Sequence, residues 1–260
     1  MPRFSANLSM LFTEVAFLER FERAAAVGFR AVEYLFPYEW DKGVLAEQLK
    51  RCRLKQVLQN LTAGDWAGGE RGIACIPGRE GEFKDGVGKA IEYAKALECP
   101  RVNCLVGKKP AGVPPEKMRA TVVGNLRFAA DALQKAGIEL LIEPLNRRMI
   151  PDFYLVHTQE ALDLIQAVGH SNLRVQYDVF HMQIMEGNLI QTIQENLPRI
   201  GHIQIADNPG RHEPGTGEIN FTNLFRSIDA AGYDVWIGCE YAPAGTTEDG
   251  LQWLKPYLGN

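Results

Sequence analysis

The fold is decided by residues 137–178, whose sequence is GIELLIEPLNRRMIPDFYLVHTQEALDLIQAVGHSNLRVQYD. A short apolar run, Ile138–Glu143, comes first, a helical pattern follows at Thr158–Val168, and a second apolar run ends the stretch at Leu173–Asp178. Gly169 stands directly after the helical pattern, where the left-handed conformation of a helix cap strains glycine least. Strands that alternate with helices predict a parallel sheet, because each helix carries the chain back to start the next strand.

The same order of strand and helix repeats eight times along the chain. The predicted strands are Arg3–Asn7, Ala31–Tyr34, Gln56–Asn60, Val102–Val106, Ile138–Glu143, Leu173–Asp178, Ile200–Ile205 and Val235–Glu240. The predicted helices are Phe17–Val27, Val44–Cys52, Phe83–Leu97, Pro115–Ala136, Thr158–Val168, Leu189–Asn196, Phe221–Ala231 and Glu248–Leu258. Eight such units in 260 residues predict an α/β fold of the closed (β/α)8 TIM barrel type, rather than an open doubly wound sheet. No linker or change in composition divides the chain, so we expect one domain at 1–260.

Two connections are long and rich in glycine, residues 61–82 and 206–220. Each follows a predicted strand, so each is expected over the C-terminal end of the barrel, where the active sites of such barrels lie. Loops of this length in a compact domain usually bind ligands or cover a site, and we expect these two to exclude water from it.

The composition argues against several classes of protein. The net charge is −4 and no basic tract is present, so a nucleic-acid partner is not expected. No run approaches the ~18 apolar residues that a membrane helix needs, and the first residues lack the pattern of a signal peptide. The five cysteines are odd in number and form no C-x-x-C pair, which is typical of buried thiols in a reducing compartment. We therefore predict a cytoplasmic protein with no membrane partner.

Four polar residues lie at the ends of the last four predicted strands: Glu143, Asp178, Gln204 and Glu240. The C-terminal ends of barrel strands meet at one mouth, so these side chains are expected to converge. A single acid in such a position often caps a helix or pairs with an arginine, but four on consecutive strands weaken that interpretation. Three carboxylates and an amide oxygen are hard ligands that suit Mg²⁺ or Mn²⁺, and without a cation the carboxylates would repel one another.

Other polar residues are candidates for binding the substrate. His181 follows Asp178 by three residues, and Arg211 lies in the loop after the seventh strand, where a guanidinium suits a carboxylate of a substrate. Lys108, after the fourth strand, is a further candidate, although solvent exposure is the usual state of lysine and arginine. Asp207 competes with Gln204 as a metal ligand, and Arg71 and Arg79 of the long third loop compete with Arg211 as substrate-binding cations. Glu33 is either a substrate contact or a partner of Arg30 or Arg3. His202 is expected to be a buried group of the core.

Several motifs together resemble the hydroxypyruvate isomerase family of the xylose-isomerase-like barrel superfamily. They are RFSANLSMLF, GDWAGGERGIACIPGRE, NCLVGK, LLIEPLN, VQYDVFHMQ, GHIQIADNPGRHEPGTGEINF and WIGCEY. The resemblance covers essentially the whole chain and keeps the order and spacing of the motifs. A sister group, the 2-oxo-tetronate isomerases, shares the same frame.

The resemblance implies that Glu143 and Glu240 are the acid/base pair. It also implies that Glu143, Asp178, Gln204 and Glu240 surround a divalent cation, and that His181 and Arg211 contact substrate oxygens. Related epimerases commonly have histidine where this chain has Gln204, which leaves open whether the metal is strictly required. The implied reaction interconverts hydroxypyruvate and tartronate semialdehyde through an enediolate, so the expected partner is a small anionic 2-oxo acid.

Other functions fit parts of the sequence. Isomerisation or epimerisation of 2-oxo-tetronate or of another keto-sugar needs the same mouth, because the strand ends do not fix the length of the substrate. A non-catalytic sugar-acid binding protein would need the polar mouth but not two opposed carboxylates. Abasic-site endonucleases use several histidines spread around the barrel, whereas no histidine precedes His157 here. Exposed aromatic residues such as Trp40, Trp66 and Tyr38 fit either the lining of a lid or the interface of a homo-oligomer.

Overall fold

Eight parallel strands close into a barrel in the computed structural model, which describes residues 1–257. The strands are β1 Arg3–Asn7, β2 Ala31–Glu33, β3 Lys55–Asn60, β4 Arg101–Cys104, β5 Glu139–Ile142, β6 Leu173–Asp178, β7 Ile200–Ile205 and β8 Trp236–Cys239. They neighbour one another in chain order, and β1 pairs with β8 to close the ring. The prediction of a single-domain TIM barrel is confirmed.

The helices lie between successive strands in the sequence. They are α1 Arg20–Ala26, α2 Lys42–Cys52, α3 Glu80–Ala96, α4 Pro115–Lys135, α5 Thr158–Val168, α6 Val179–Met185, α7 Leu189–Asn196 and α8 Phe221–Ala230. Short 3₁₀ segments are present at Phe17–Glu19, Leu197–Arg199 and Asp249–Tyr257. Within residues 1–257, no helix is both long enough and apolar enough to cross a membrane.

Two helices differ from the prediction. The last predicted helix, Glu248–Leu258, is a 3₁₀ segment with Pro256 inside it, and Leu258 lies outside the described residues. Helix α6 was not predicted, because the pattern of a strand runs into it without a turn signal. The Asp178 side chain begins α6 by accepting hydrogen bonds from the backbone N–H groups of Phe180 (2.7 Å) and His181 (3.3 Å), as expected of an aspartate at a helix N-cap.

The predicted glycine cap is confirmed, since Gly169 ends α5 in the left-handed conformation with φ 66°. The apolar core is formed by side chains without solvent exposure, among them Phe21 of α1, Leu45 of α2 and Leu126 of α4. Burial of this kind stabilises the fold by about 25 cal/mol for each Å² of apolar surface.

The centre of the barrel is polar. Gln204 of β7 donates a hydrogen bond to Glu33 of β2 at 2.7 Å, and His202 of β7 contacts the same carboxylate at 2.8 Å. Strands β2 and β7 are not neighbours, so these bonds cross the interior of the ring. Such barrels are usually filled by branched apolar side chains, and a buried polar group has to be hydrogen-bonded to offset its desolvation. The polar interior therefore positions the groups at the mouth above it.

Candidate active site

The four strand-end residues come together at one end of the barrel, and all four are buried. Glu143 follows β5 directly, Asp178 ends β6, and the sheet register pairs Asp178 with Gln204 of β7. The Gln204 Nε2 atom lies 3.4 Å from an oxygen of Glu240, which follows β8. Ligand atoms of Glu143, Asp178 and His181 lie within 4.8 Å of one another.

Arg211 joins this group from the loop after β7. Its Nη2 atom donates a hydrogen bond to Glu240 Oε2 and lies 3.8 Å from Asp178 Oδ2. Its guanidinium also stands 5.3 Å from the ring centre of Phe180, on α6. The cation expected to receive the substrate is therefore paired with two carboxylates of the site. A substrate oxygen that reaches Arg211 must share it with Glu240.

Asp207 organises the loop that carries Arg211. It is fully buried, and its two oxygens accept hydrogen bonds of 2.8 to 3.1 Å from four backbone N–H groups, those of Asn208, Gly215, Gly217 and Ile219. Backbone donors therefore occupy the carboxylate of Asp207, the predicted competitor of Gln204 at the metal. Arg211 itself has a left-handed φ of 59°, which a non-glycine residue adopts only where its surroundings hold it.

His181, in the first turn of α6, is held from the loop after β5. Its Nδ1 atom faces both the backbone N–H of Asn146 (3.0 Å) and the Asn146 side-chain nitrogen (2.8 Å). Its Nε2 atom lies 3.6 Å from Asp178 Oδ2. Burial lowers the pKa of His181 to about 4, although the charge of Asp178 opposes the shift. The imidazole is therefore neutral at neutral pH.

The two glutamates of the site retain protons at unusually high pH. Burial raises the pKa of Glu143 well above its usual range, and the negative charges of Glu240 and Asp178 raise it further. Burial also raises the pKa of Glu240 to about 7, against the opposing effect of Arg211. A carboxyl group with a pKa near neutrality can both accept and donate a proton at the working pH, as general acid–base catalysis requires.

A third buried glutamate, Glu33 at the end of β2, has the opposite pKa shift. Glu33 accepts hydrogen bonds from Ser5 (3.0 Å), Asn7 (3.2 Å), His202 (2.8 Å) and Gln204 (2.7 Å). Its pKa is lowered, because His202 and these donors outweigh the burial that alone would raise it. The predicted partners of Glu33, Arg30 and Arg3, are thus replaced by His202, which is the core group expected from the sequence.

The other predicted cations form no ion pair with Glu143, Asp178 or Glu240. Lys108 forms an isolated bridge with Phe153 and makes no ion pair among residues 1–257, and its contact with a substrate stays a prediction. The other two cations stay within the third loop: Arg79 pairs with Glu70 and Glu82, and Arg71 stacks 3.9 Å from the ring centre of Trp66.

The residues at the mouth fit a divalent cation. The Asp178 Oδ2 atom is buried and has no hydrogen-bond partner among the described residues. Gln204 Oε1 accepts one hydrogen bond, at 2.6 Å from Gln176, and a carbonyl oxygen has a second lone pair. Three carboxylates against one guanidinium leave two uncompensated negative charges when all are ionised, which one Mg²⁺ or Mn²⁺ balances. Oxygen donors of this kind are the preferred ligands of both ions.

Comparison with known proteins identifies the family to which this chain belongs. The sequence model described as “Xylose isomerase-like TIM barrel” matches residues 21–257, and the chain belongs to that family. Hydroxypyruvate isomerase of Escherichia coli K12 is 58% identical to this chain over 257 residues, which are 99% of this chain and 100% of the relative. A 2-oxo-tetronate isomerase of Cupriavidus necator is 49% identical over 259 residues and the full length of both. The resemblance found in the motifs is thereby confirmed, and the chain is an isomerase.

Solved structures agree on the fold. A crystal structure described as an AP endonuclease of family 2 from Brucella melitensis superposes with a TM-score of 0.97 at 48% identity. The match covers 99% of this chain and all of the other. An L-ribulose 3-epimerase superposes with a TM-score of 0.78 at 21% identity, over all of this chain and 88% of the other, and shares the fold alone.

Proposed function

We propose that this isomerase interconverts hydroxypyruvate and tartronate semialdehyde. The observation that carries the proposal is the pair of buried glutamates, Glu143 and Glu240, whose pKa values are raised by burial in one site. Two such groups can exchange a proton with adjacent carbons of a bound 2-oxo acid. The 58% identity to the Escherichia coli hydroxypyruvate isomerase supports this choice of substrate.

The reaction moves protons within one molecule. Hydroxypyruvate has its carbonyl at C2 and its hydroxyl at C3. One glutamate removes a proton from C3, an enediolate forms across C2 and C3, and a proton returns to C2. A second proton passes from the oxygen of C3 to the oxygen of C2, so the atoms balance without an outside oxidant. Glu143 and Glu240 exchange the roles of acid and base when the direction reverses.

Arg211 and His181 act on the oxygens of the substrate. The guanidinium of Arg211 stands beside Glu240 and stabilises negative charge that develops on the enediolate, because a fixed cation in a buried site interacts strongly with a nearby anion. His181 is neutral and buried, so it contributes a hydrogen bond and not a charge. Replacement of Arg211 by alanine is expected to weaken binding of a substrate that carries a carboxylate.

The proposed metal ligands are the four strand-end residues, Glu143, Asp178, Gln204 and Glu240, and the proposed ion is Mg²⁺ or Mn²⁺. The orphaned Oδ2 atom of Asp178 is the observation that favours a cation here. When bound, such an ion acts as a Lewis acid that polarises substrate oxygens. Dialysis against a chelator followed by addition of Mg²⁺ or Mn²⁺ tests whether activity depends on it.

A second candidate is isomerisation of 2-oxo-tetronate, which is one carbon longer. The 49% identity to the Cupriavidus necator enzyme and 47% identity to a 2-oxo-tetronate isomerase of Pectobacterium atrosepticum favour it as the alternative. The glutamates and Arg211 serve either substrate, because both have a carbonyl next to a hydroxylated carbon. Turnover of hydroxypyruvate, 2-oxo-tetronate and simple ketoses, measured side by side, decides between the substrates.

Cleavage of DNA at an abasic site should be measured beside 2-oxo acid turnover, because the Brucella melitensis relative is described as an AP endonuclease. Metal-dependent nucleases on this fold need several metal-binding histidines. Within residues 1–257, the one cluster of at least three possible ligands is that of Glu143, Asp178 and His181. We therefore expect no cleavage of a duplex that contains an abasic site. Cleavage with no turnover of any 2-oxo acid would overturn the proposal.

The glutamate assignment is tested by Glu143→Gln with Glu139→Gln as the matched control. Both residues are on or next to β5, but Glu139 pairs with Arg101 and Arg174 at the opposite end of the strand. We expect Glu143→Gln to abolish turnover and also the exchange of substrate hydrogen with deuterium in D₂O, followed by NMR. Glu139→Gln should keep both. A non-catalytic binding protein would give no exchange even as the wild type.

A further inference from the structure

The ring of His181 meets two nitrogens of Asn146, one from the backbone and one from the side-chain amide. Asn146 lies three residues after Glu143, in the loop after β5, and has no solvent exposure. Its backbone nitrogen is 3.0 Å and its side-chain nitrogen is 2.8 Å from His181 Nδ1. Two donors thus meet one ring nitrogen.

The orientation of the Asn146 amide follows from a third contact. The backbone N–H of Met149 donates a hydrogen bond of 2.8 Å to Asn146 Oδ1, so the oxygen is the end of the amide turned away from His181. The side-chain nitrogen must then face the ring. A reversed amide would set an oxygen against Nδ1 and a nitrogen against the Met149 N–H, and the second of these contacts would join two donors.

The tautomer of His181 follows in turn. A ring nitrogen that accepts hydrogen bonds has no proton, and a neutral imidazole then has its proton on the other nitrogen. Nε2 therefore bears the proton, and it points toward Asp178, whose Oδ2 lies 3.6 Å away without a hydrogen-bond partner in the described part of the chain. A protonated Nε2 has no lone pair to offer a metal, although His181 is near enough to Glu143 and Asp178 to join such a site.

We propose that Asn146 is a positioning residue that holds His181 in the Nε2–H tautomer, so that the ring donates a hydrogen bond to a substrate oxygen and does not bind the cation. The part that concerns the substrate rests on the proposed isomerase function. The part that concerns the tautomer rests on the contacts of Asn146 and Met149 alone.

The tautomer is measured without substrate by ¹H–¹⁵N correlation NMR of the full chain labelled at histidine. The chain has five histidines, and the signals of His181 are identified as those that disappear in the His181→Gln variant. We expect an unprotonated Nδ1 and a protonated Nε2. A protonated Nδ1 in the wild type would overturn the inference and leave the isomerase function standing. Absence of 2-oxo acid turnover with the expected tautomer would do the reverse.

Two substitutions of Asn146 separate positioning from packing. Asn146→Asp keeps the backbone N–H but sets a carboxylate oxygen against Nδ1, and a charged acceptor forms the stronger hydrogen bond, so Nδ1 should gain a proton. We expect kcat to fall about 10²–10³-fold, as when one donor to a developing oxyanion is lost. Asn146→Ala keeps the backbone N–H, so the tautomer should persist, with kcat within about tenfold of the wild type. Equal losses of kcat in both variants with an unchanged tautomer would reduce Asn146 to a packing role.

Asn125→Asp is the control for the general effect of a new buried acid. Asn125 is also buried, and its side-chain nitrogen donates to the Ala74 backbone oxygen at 2.9 Å, away from the carboxylates. We expect Asn125→Asp to lower stability but to leave kcat and the His181 tautomer as in the wild type. If the control lowered kcat as much as Asn146→Asp does, the specific role of Asn146 would be refuted.

Discussion

Glu33 and Glu240 stand on either side of β1, Glu33 at the end of β2 and Glu240 just after β8, and both are buried. A single donor, the side-chain nitrogen of Asn7, is 3.2 Å from each carboxylate. Yet the pKa of Glu33 is lowered, whereas burial raises that of Glu240 to about 7. The two carboxyl groups are equally buried but their pKa values shift in opposite directions. The neighbouring groups, and not depth in the barrel, therefore decide whether each glutamate is ionised.

The donors explain the difference. Glu33 faces His202, Ser5 and the nitrogen of Gln204 in addition to Asn7, and each of these stabilises the ionised form. Glu240 has Arg211 beside it, but it also faces the negative charges of Asp178 and Glu33, which favour the protonated form. Glu33 is thereby fixed as an anion of the scaffold. Glu240 is left able to move a proton at neutral pH.

Of the substitutions that compare Glu240 with Glu33, Glu240→Gln should have the largest effect on turnover. An amide cannot exchange the proton, so we expect kcat to fall by about 10²–10⁴-fold, the usual contribution of a positioned acid or base. Stability at pH 8 should be retained, because the substitution removes a carboxylate that burial disfavours in its charged form. Steady-state kinetics and urea unfolding measure the two quantities. Turnover near that of the wild type would remove Glu240 from the acid/base pair.

The sequence predicted the convergence of Glu143, Asp178, Gln204 and Glu240 because the rule behind it is geometric. All strands of a parallel barrel end at the same mouth, so an acid at the end of an apolar run is located as soon as the strand is recognised. Strands β1, β6 and β7 were predicted with the observed bounds, and the others within two residues at either end. Helix α6 was not predicted, because Asp178 both ends β6 and caps α6, and the hydrophobic pattern does not show where the strand stops and the helix begins.

The donors that set the ionisation of these acids could not be predicted in the same way. Asn7 and Glu240 are 233 residues apart in the chain, and Gln204 and Glu33 are 171 apart. An amide side chain in a strand has no charge, and its position in the sequence does not indicate which distant residue it contacts. The role of Asp207 was missed for a related reason, since its partners are backbone N–H groups whose directions depend on the path of the loop.

Glu240→Gln is expected to lower kcat and to retain stability, whereas Glu33→Gln should lower stability strongly. His202 and Ser5 would lose a charged acceptor inside the barrel, and removal of one partner of a buried pair typically destabilises by about 3–5 kcal/mol. The free energy of unfolding in urea at pH 7 measures the loss. A change no larger than that of Glu240→Gln would mean that the two carboxylates do not differ as proposed.

Gly238→Ala should disturb Glu33 by sterics alone. A Cβ atom at Gly238 of β8 would lie 2.3 and 2.4 Å from the two carboxylate oxygens of Glu33. Those oxygens are held by several hydrogen bonds, so we expect a loss of about 1–3 kcal/mol, as for overpacked cores. Gly124→Ala is the matched control, because a Cβ there meets nothing within 4 Å and α4 should gain about 0.5–1 kcal/mol. Equal effects of the two substitutions would show that Glu33 has room to move.

The contrast also predicts the pH dependence of stability in chelator-treated protein. Glu240 has a folded-state pKa of about 7, above its ordinary value of 4.5. Its contribution to stability is therefore complete below pH 4.5 and is lost as the pH rises through 7, by at most about 1.4 kcal/mol per pH unit for one group. Glu33 has a lowered pKa, so its contribution is present above pH 4.5 and is lost as the pH falls below that value.

The difference between wild type and Glu240→Gln isolates the first of these slopes. We expect the unfolding free energy of the wild type, relative to that of the variant, to decrease between pH 4.5 and 7. Addition of Mg²⁺ or Mn²⁺ at pH 7 should restore it in the wild type more than in the variant, because an ion that binds the folded carboxylates stabilises the fold by mass action. A flat difference across this range would mean that Glu240 is ionised throughout, and the contrast with Glu33 would disappear.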